Sequence, residues 1–156
     1  MTQADVYALA RHIRYEVDMF HFAFKATQNP RPRPQDSLVL ECFLLHWRNL
    51  WYFFLENPWK NDVIASDYIA SWKPDRPSPD LTKRVHTLLA HITKDRLGQK
   101  GFSSEDVRMM YEQIAKLWTE FYEQLPSDDE RGWFKNDLKN KFPVEYRGPE
   151  SPLLLK

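Results

Sequence analysis

Leu38-Val39-Leu40-Glu41-Cys42-Phe43-Leu44-Leu45-His46-Trp47-Arg48-Asn49-Leu50-Trp51-Tyr52-Phe53-Phe54-Leu55 is the stretch from which the fold can be read. It puts apolar side chains on every side of a helical wheel, the pattern of a helix buried inside a bundle. A helix from Asp36 to Glu56 is predicted, capped by Asp36 or Ser37 and stopped by Asn57-Pro58. Four polar side chains interrupt the run: Glu41, His46, Arg48 and Asn49. A buried charge must be paired or face a watered cleft, because leaving it bare is strongly unfavourable. Any special chemistry is therefore expected beside these four. Glu41 and Arg48 share a side of the helix but lie two turns apart, about 10.5 Å of rise. Arg48 should then take a carboxylate from elsewhere, with Glu16, Asp62 and Asp67 as candidates.

Periodicity on either side of this run supplies its neighbours. A first helix is expected over Thr2 to Thr27, with one apolar stripe from Val6 through Leu9, Ile13, Val17 and Phe20 to Phe24. Tyr15, Met19, Phe22 and Ala26 form a second stripe, so this helix should pack against two neighbours. The alternating prolines of Asn29-Pro30-Arg31-Pro32-Arg33-Pro34 fix φ and remove donors, which predicts a stiff extended connector. Residues 59–79 are long for a bundle connection, so a short helix is expected near Asp62 to Ile69, with Trp59 and Trp72 as apolar pegs. A third helix is expected over Pro79 to Leu97, with Leu81, Val85, Leu88, Leu89 and Ile92 buried. Ser103 to Asp106 opens a fourth helix that runs to Leu125, and Ser127 to Glu130 forms a capping box for a fifth bearing Trp133, Phe134, Leu138 and Phe142.

The fold class that follows is all-α: a single-domain four- or five-helix, mostly antiparallel bundle with a buried central helix over residues 1–142, then an irregular tail over 143–156. Only four glycines in 156 residues, against 15% aromatics, agree with long helices rather than turn-rich sheet. The formal net charge is zero, so the chain as a whole has no built-in pull toward nucleic acid or anionic lipid. The single cysteine, Cys42, excludes an internal disulfide and reads as an inert core thiol. Charges within the apolar run argue against a membrane span, so the cytoplasm is the expected location.

Two sets of side chains could carry chemistry. One is Glu41, His46, Arg48 and Asn49. The other is His91, Thr93, Asp95 and Arg96, where Asp95 can orient His91 four residues away. His46, Arg48, His91 and Arg96 are expected to converge on one pocket. The six tryptophans exceed what a core of this size needs, and aromatics are enriched at interfaces. His46, His91, Asp62 and Asp67 are metal-ligand types but lack Glu-x-x-His spacing, so no metal and no cofactor are expected.

His46-Trp47-Arg48-Asn49-Leu50 with Phe53-Phe54, then Asp62-Val63-Ile64-Ala65-Ser66-Asp67-Tyr68, then His91-Ile92-Thr93 with Arg96, resembles a family of small bacterial helical-bundle proteins of uncharacterised function. Arg14 and His21, on one face of the first helix, also resemble the arginine–histidine spacing of HEPN domains, helical ribonucleases of toxin and phage-defence systems. Arg48-Asn49 matches the pair that family favours, although Phe53 stands where its histidine would follow. The HEPN resemblance implies metal-independent RNA cleavage, or an inactive relative, with Arg14, His21, His46 and Arg48 as catalytic candidates and a homodimer as the working unit. In that chemistry, histidine moves protons and arginine stabilises the phosphorane charge. The reading preferred from the residues is a non-catalytic module that binds a protein or small ligand in a polar cleft between the second and third helices. Its binding set is His46, Arg48, Asn49, Asp62, Asp67, His91 and Arg96.

Overall fold

The structure is a computed structural model that describes residues 3–29, 31–32, 34–55, 62–74, 79–89 and 101–134. Among the described residues there are five helices: α1 (Gln3–Thr27), α2 (Gln35–Leu55), α3 (Pro79–Leu89), α4 (Ser104–Gln124) and α5 (Asp128–Trp133). A 3₁₀ turn, Ala65–Asp67, stands where a short helix was expected. No strand occurs among the described residues, so the chain is all-α. Thr2, Trp59, Leu138, Phe142, the boundary at residues 142–143 and the tail with its Leu153-Leu154-Leu155 lie outside the described residues.

Helix α2 is the hub. It packs against α1, α3, α4 and the 3₁₀ turn, while α1 also meets α4 and α5. Trp47, Leu50, Phe53 and Phe54 are all buried, as a helix at the centre of a bundle requires. Helices α1 and α2 run antiparallel: Glu16 lies beside His46, and Phe20 and Phe24 beside Phe43. Phe20 and Phe24 also stack on Tyr111 near the start of α4. Phe53 and Phe54 meet Phe121 near its end. Helix α4 therefore runs in the same sense as α2, and the long excursion through the 3₁₀ turn and α3 brings the chain back to start it.

One part of the expected layout is corrected here. Helix α2 is not enclosed on every side: Leu38, Glu41 and Leu45 are exposed, and Arg48 and Tyr52 half-exposed. These positions recur every three or four residues, which makes them one outward strip. Glu41 thus needs no buried partner. The second stripe of α1 is also outward: Tyr15 and Phe22 are exposed, Met19 is half-buried and only Ala26 is covered.

The helix ends explain where each element starts. Ser103 caps α4 in a reciprocal pair with Asp106, and Ser127 caps α5 with Glu130. Asp36 does not cap α2; its Oδ1 accepts from the Arg31 N–H at 2.8 Å and ties the proline connector to the first turn. At the other end of α2, Trp72 Nε1 donates to the Phe54 carbonyl at 2.7 Å. A helix leaves its last four carbonyls unpaired, so this buried indole does a capping task as well as filling space. Arg84 fastens α3 to α4, bonding Asp106 and the Gly101 carbonyl, each at 2.8 Å, over the Phe102 ring.

Candidate functional site

Two polar clusters form around α2, one on each flank. The first faces α1. His46 is buried, and its Nδ1 lies 2.7 Å from Glu16 Oε2. An ionised carboxylate only accepts, so Nδ1 carries the proton. Asn49 Nδ2 donates to the same oxygen at 3.0 Å. Burial pushes the Glu16 carboxyl up, but the His46 and Asn49 hydrogen bonds and the nearby His46 and His12 outweigh it, and the net shift is downward. The Tyr15 ring stands edge-on to His46 at 6.0 Å. Cys42 is half-buried on this flank, and burial together with the Glu16 charge pushes its thiol up, away from nucleophilic use.

The second cluster lies where α2 meets α3. Tyr52 Oη and His86 Nε2 share a hydrogen bond between the two helices. Arg48 is one turn before Tyr52, and Asp62 lies on the same side. Burial raises the Tyr52 phenol above its ordinary value, Asp62 adds to that, and Arg48 opposes it. The phenol is thus neutral and remains a donor at neutral pH. None of the three proposed carboxylates pairs with Arg48. Glu16 holds His46 and Asn49, and Asp67 accepts from the Ile64 N–H at 3.0 Å. Asp62 acts on Tyr52 from a distance. No ion pair closes on Arg48 within 4.0 Å among the described residues.

The remaining candidates are dispersed. His21 is only 4% exposed; its Nδ1 shares a hydrogen bond with Tyr111 Oη at 2.7 Å inside the aromatic cluster of α1 and α4. Arg14, two turns earlier, is half-buried, and its Nε meets no acceptor among the described residues. His91, Thr93, Asp95 and Arg96 lie outside the described residues, and with them the expected convergence of His91 and Arg96 on His46 and Arg48. His46 and Arg48 themselves point to opposite flanks of α2. Trp47, Trp51, Trp72 and Trp118 are buried, so these four act as core, and among the described residues the exposed aromatics are Tyr7, Tyr15 and Phe22.

Sequence reasoning overlooked Tyr52 and His86. The available signals were Tyr52 at i+4 from Arg48 and His86 beside Val85 at the edge of the α3 apolar stripe. Among the described residues, no three His, Cys, Asp or Glu side chains gather to hold a metal ion, and no helix is long and apolar enough to cross a membrane. Scans of the chain against protein-family models, curated proteins and solved structures return no match. What the site does has to be read from its own geometry.

Proposed function

We propose that the chain is a binding module that takes an oxyanion group, carboxylate or phosphate, of a ligand or partner in the seam between α2 and α3. The observation that carries this is Arg48: half-exposed, without an ion pair among the described residues, and one turn from the Tyr52–His86 bridge. A guanidinium presents a planar fork of donors that matches an oxyanion in two-point contact. Tyr52 adds a neutral hydroxyl beside it. His46 and Asn49 serve from behind, holding α1 to α2 through Glu16. His91 and Arg96 belong to the proposed binding set by sequence alone.

RNA cleavage at Arg14 and His21 has less behind it. A general acid/base must reach its substrate, and His21 is packed among Phe20, Phe24 and Tyr111. That reading rests on the resemblance.

The test is titration with inorganic phosphate and with acetate, followed through the ring signals of Tyr52 and His86 by NMR. Saturable shifts are expected in the wild type, lost in Arg48→Met and kept in Asp67→Asn. Shifts that persist unchanged in Arg48→Met, or no shifts with either anion, would refute the seam as the site.

A further inference from the structure

Tyr52 Oη and His86 Nε2 share a hydrogen bond across the seam between α2 and α3. Its direction follows from the two groups. Burial, and after it Asp62, keep the phenol protonated. An imidazole nitrogen is a far stronger base than a phenol oxygen, so the phenol donates and Nε2 accepts. In the neutral ring the hydrogen then sits on Nδ1. The Tyr52 hydrogen is thus spent on His86, and Oη has none to give an oxyanion held by Arg48. Tyr52 and His86 are both half-buried, so solvent protons reach the bridge. Histidine is the side chain whose charge ordinarily changes between about pH 5 and 8.

We propose that His86 makes anion binding in the seam pH-dependent: on gaining a proton it adds a positive charge beside Arg48 and turns the Tyr52 hydrogen over to the bound oxyanion. The inference rests on the seam being the anion site. The proton comes from solvent and adds to Nε2, which then donates to a lone pair of Tyr52 Oη. The hydroxyl hydrogen swings about the C–O bond and points away from His86. No covalent bond of the tyrosine breaks, and the bridge between the helices survives with its direction reversed. The seam then holds two cations and an O–H donor where it held one cation. Among the described residues, the charged groups around the bridge come from three elements. Arg48 lies on α2 and Asp62 ahead of α3, both acting on Tyr52, and Lys83 is exposed one turn before His86 on α3. Asp62 favours the proton on His86, whereas Arg48 and Lys83 oppose it. Helix α4 is reached from α3 through Arg84, which holds Asp106. A bound oxyanion adds a negative charge to this set and so favours the protonated ring.

Sulfate is the probe, because its own charge stays constant between about pH 5.5 and about pH 8, the range in which histidine titrates. Calorimetric titration of the full chain should show sulfate bound about sevenfold more tightly at the acid end of that range than at the alkaline end. Linkage requires the reciprocal effect. Saturating sulfate should raise the midpoint of the His86 ring titration, followed by NMR, by about one pH unit. His86→Gln should bind sulfate with one affinity across the range. Tyr52→Phe keeps the added charge but lacks the hydroxyl, so its tightening should fall to about threefold. The wild-type midpoint needs no variant, so it decides the case even if His86→Gln fails to fold. A His86 midpoint unmoved by sulfate, or tightening that persists in His86→Gln, overturns the proposal. Equal wild-type affinity at both ends, with binding still lost in Arg48→Met, overturns the pH dependence and leaves the seam as the anion site. No sulfate binding at either end removes both.

Discussion

Glu16 Oε2 accepts from both His46 and Asn49, and its acidity follows from that. A carboxyl whose folded pKa is depressed contributes stability above its ordinary value, here 4.5, and loses it as pH falls through the lower folded value. Asp106, lowered by Arg84 and Ser103 against its own burial, works the same way from 3.8 downward. The expected outcome is a denaturation midpoint that drops steeply below about pH 4.5 in the wild type and less steeply in Glu16→Gln. At neutral pH, Glu16→Gln should cost about 1–2 kcal/mol, since His46 and Asn49 lose a charged acceptor. Arginines divide by the same reasoning. Arg84→Met should cost about 2 kcal/mol, because it leaves the part-buried Asp106 with Ser103 alone and no opposite charge, and uncovers Phe102. Arg48→Met should cost under about 0.5 kcal/mol, being half-exposed and free of ion pairs among the described residues. Urea titration of the two variants checks the order. A reader of the sequence could see that Arg48 matters but not that Arg84 does. Residue type in a greasy run marks the first, whereas the second depends on which loop folds back beneath α3.

At the scale of the element, α2 explains both what was legible and what was not. Its helical state, its ends and its central place follow from composition and from the Asn-Pro stop. Its outward strip was written in the same residues. Glu41, Arg48 and Tyr52 share a side, and the polar positions mark the face that water reaches. Leu38 and Leu45 on that strip conceal the pattern, because an apolar residue left exposed looks in sequence like one that is buried. The capping boxes at Ser103 and Ser127 were readable because their partners are three residues away. Trp72 on the Phe54 carbonyl was not, since its partner lies 18 positions away in the sequence. Trp72→Phe leaves that buried carbonyl unpaired and trims a ring from the core, so a loss of about 2–3 kcal/mol is expected. Ser103→Ala, removing a cap on the surface, should cost about 1 kcal/mol. Thermal or urea denaturation gives both.

For the whole molecule, Phe121 is the point at which the parts meet. Its buried ring touches Phe53 and Phe54 of α2, Tyr68 and Trp72 of the excursion, Trp118 of its own helix and Phe134 beyond α5. Phe121→Ala is expected to cost about 3–5 kcal/mol, a large part of the stability of a domain this size, and to loosen α2 and α4 together. Sequence alone shows that Phe121 is on a buried stripe. Which neighbours it gathers depends on α4 running alongside α2 in the same sense, a consequence of chain return that no local pattern encodes. The claim on which fold and seam both depend is that α2 has one dry side and one wet side. Hydroxyl-radical footprinting of dilute folded protein measures this residue by residue. Trp47, Trp51, Phe53 and Phe54 should oxidise only on unfolding, while Phe22, Leu38, Leu45 and Tyr15 oxidise in the folded state. Comparable labelling of the two groups before unfolding would contradict it.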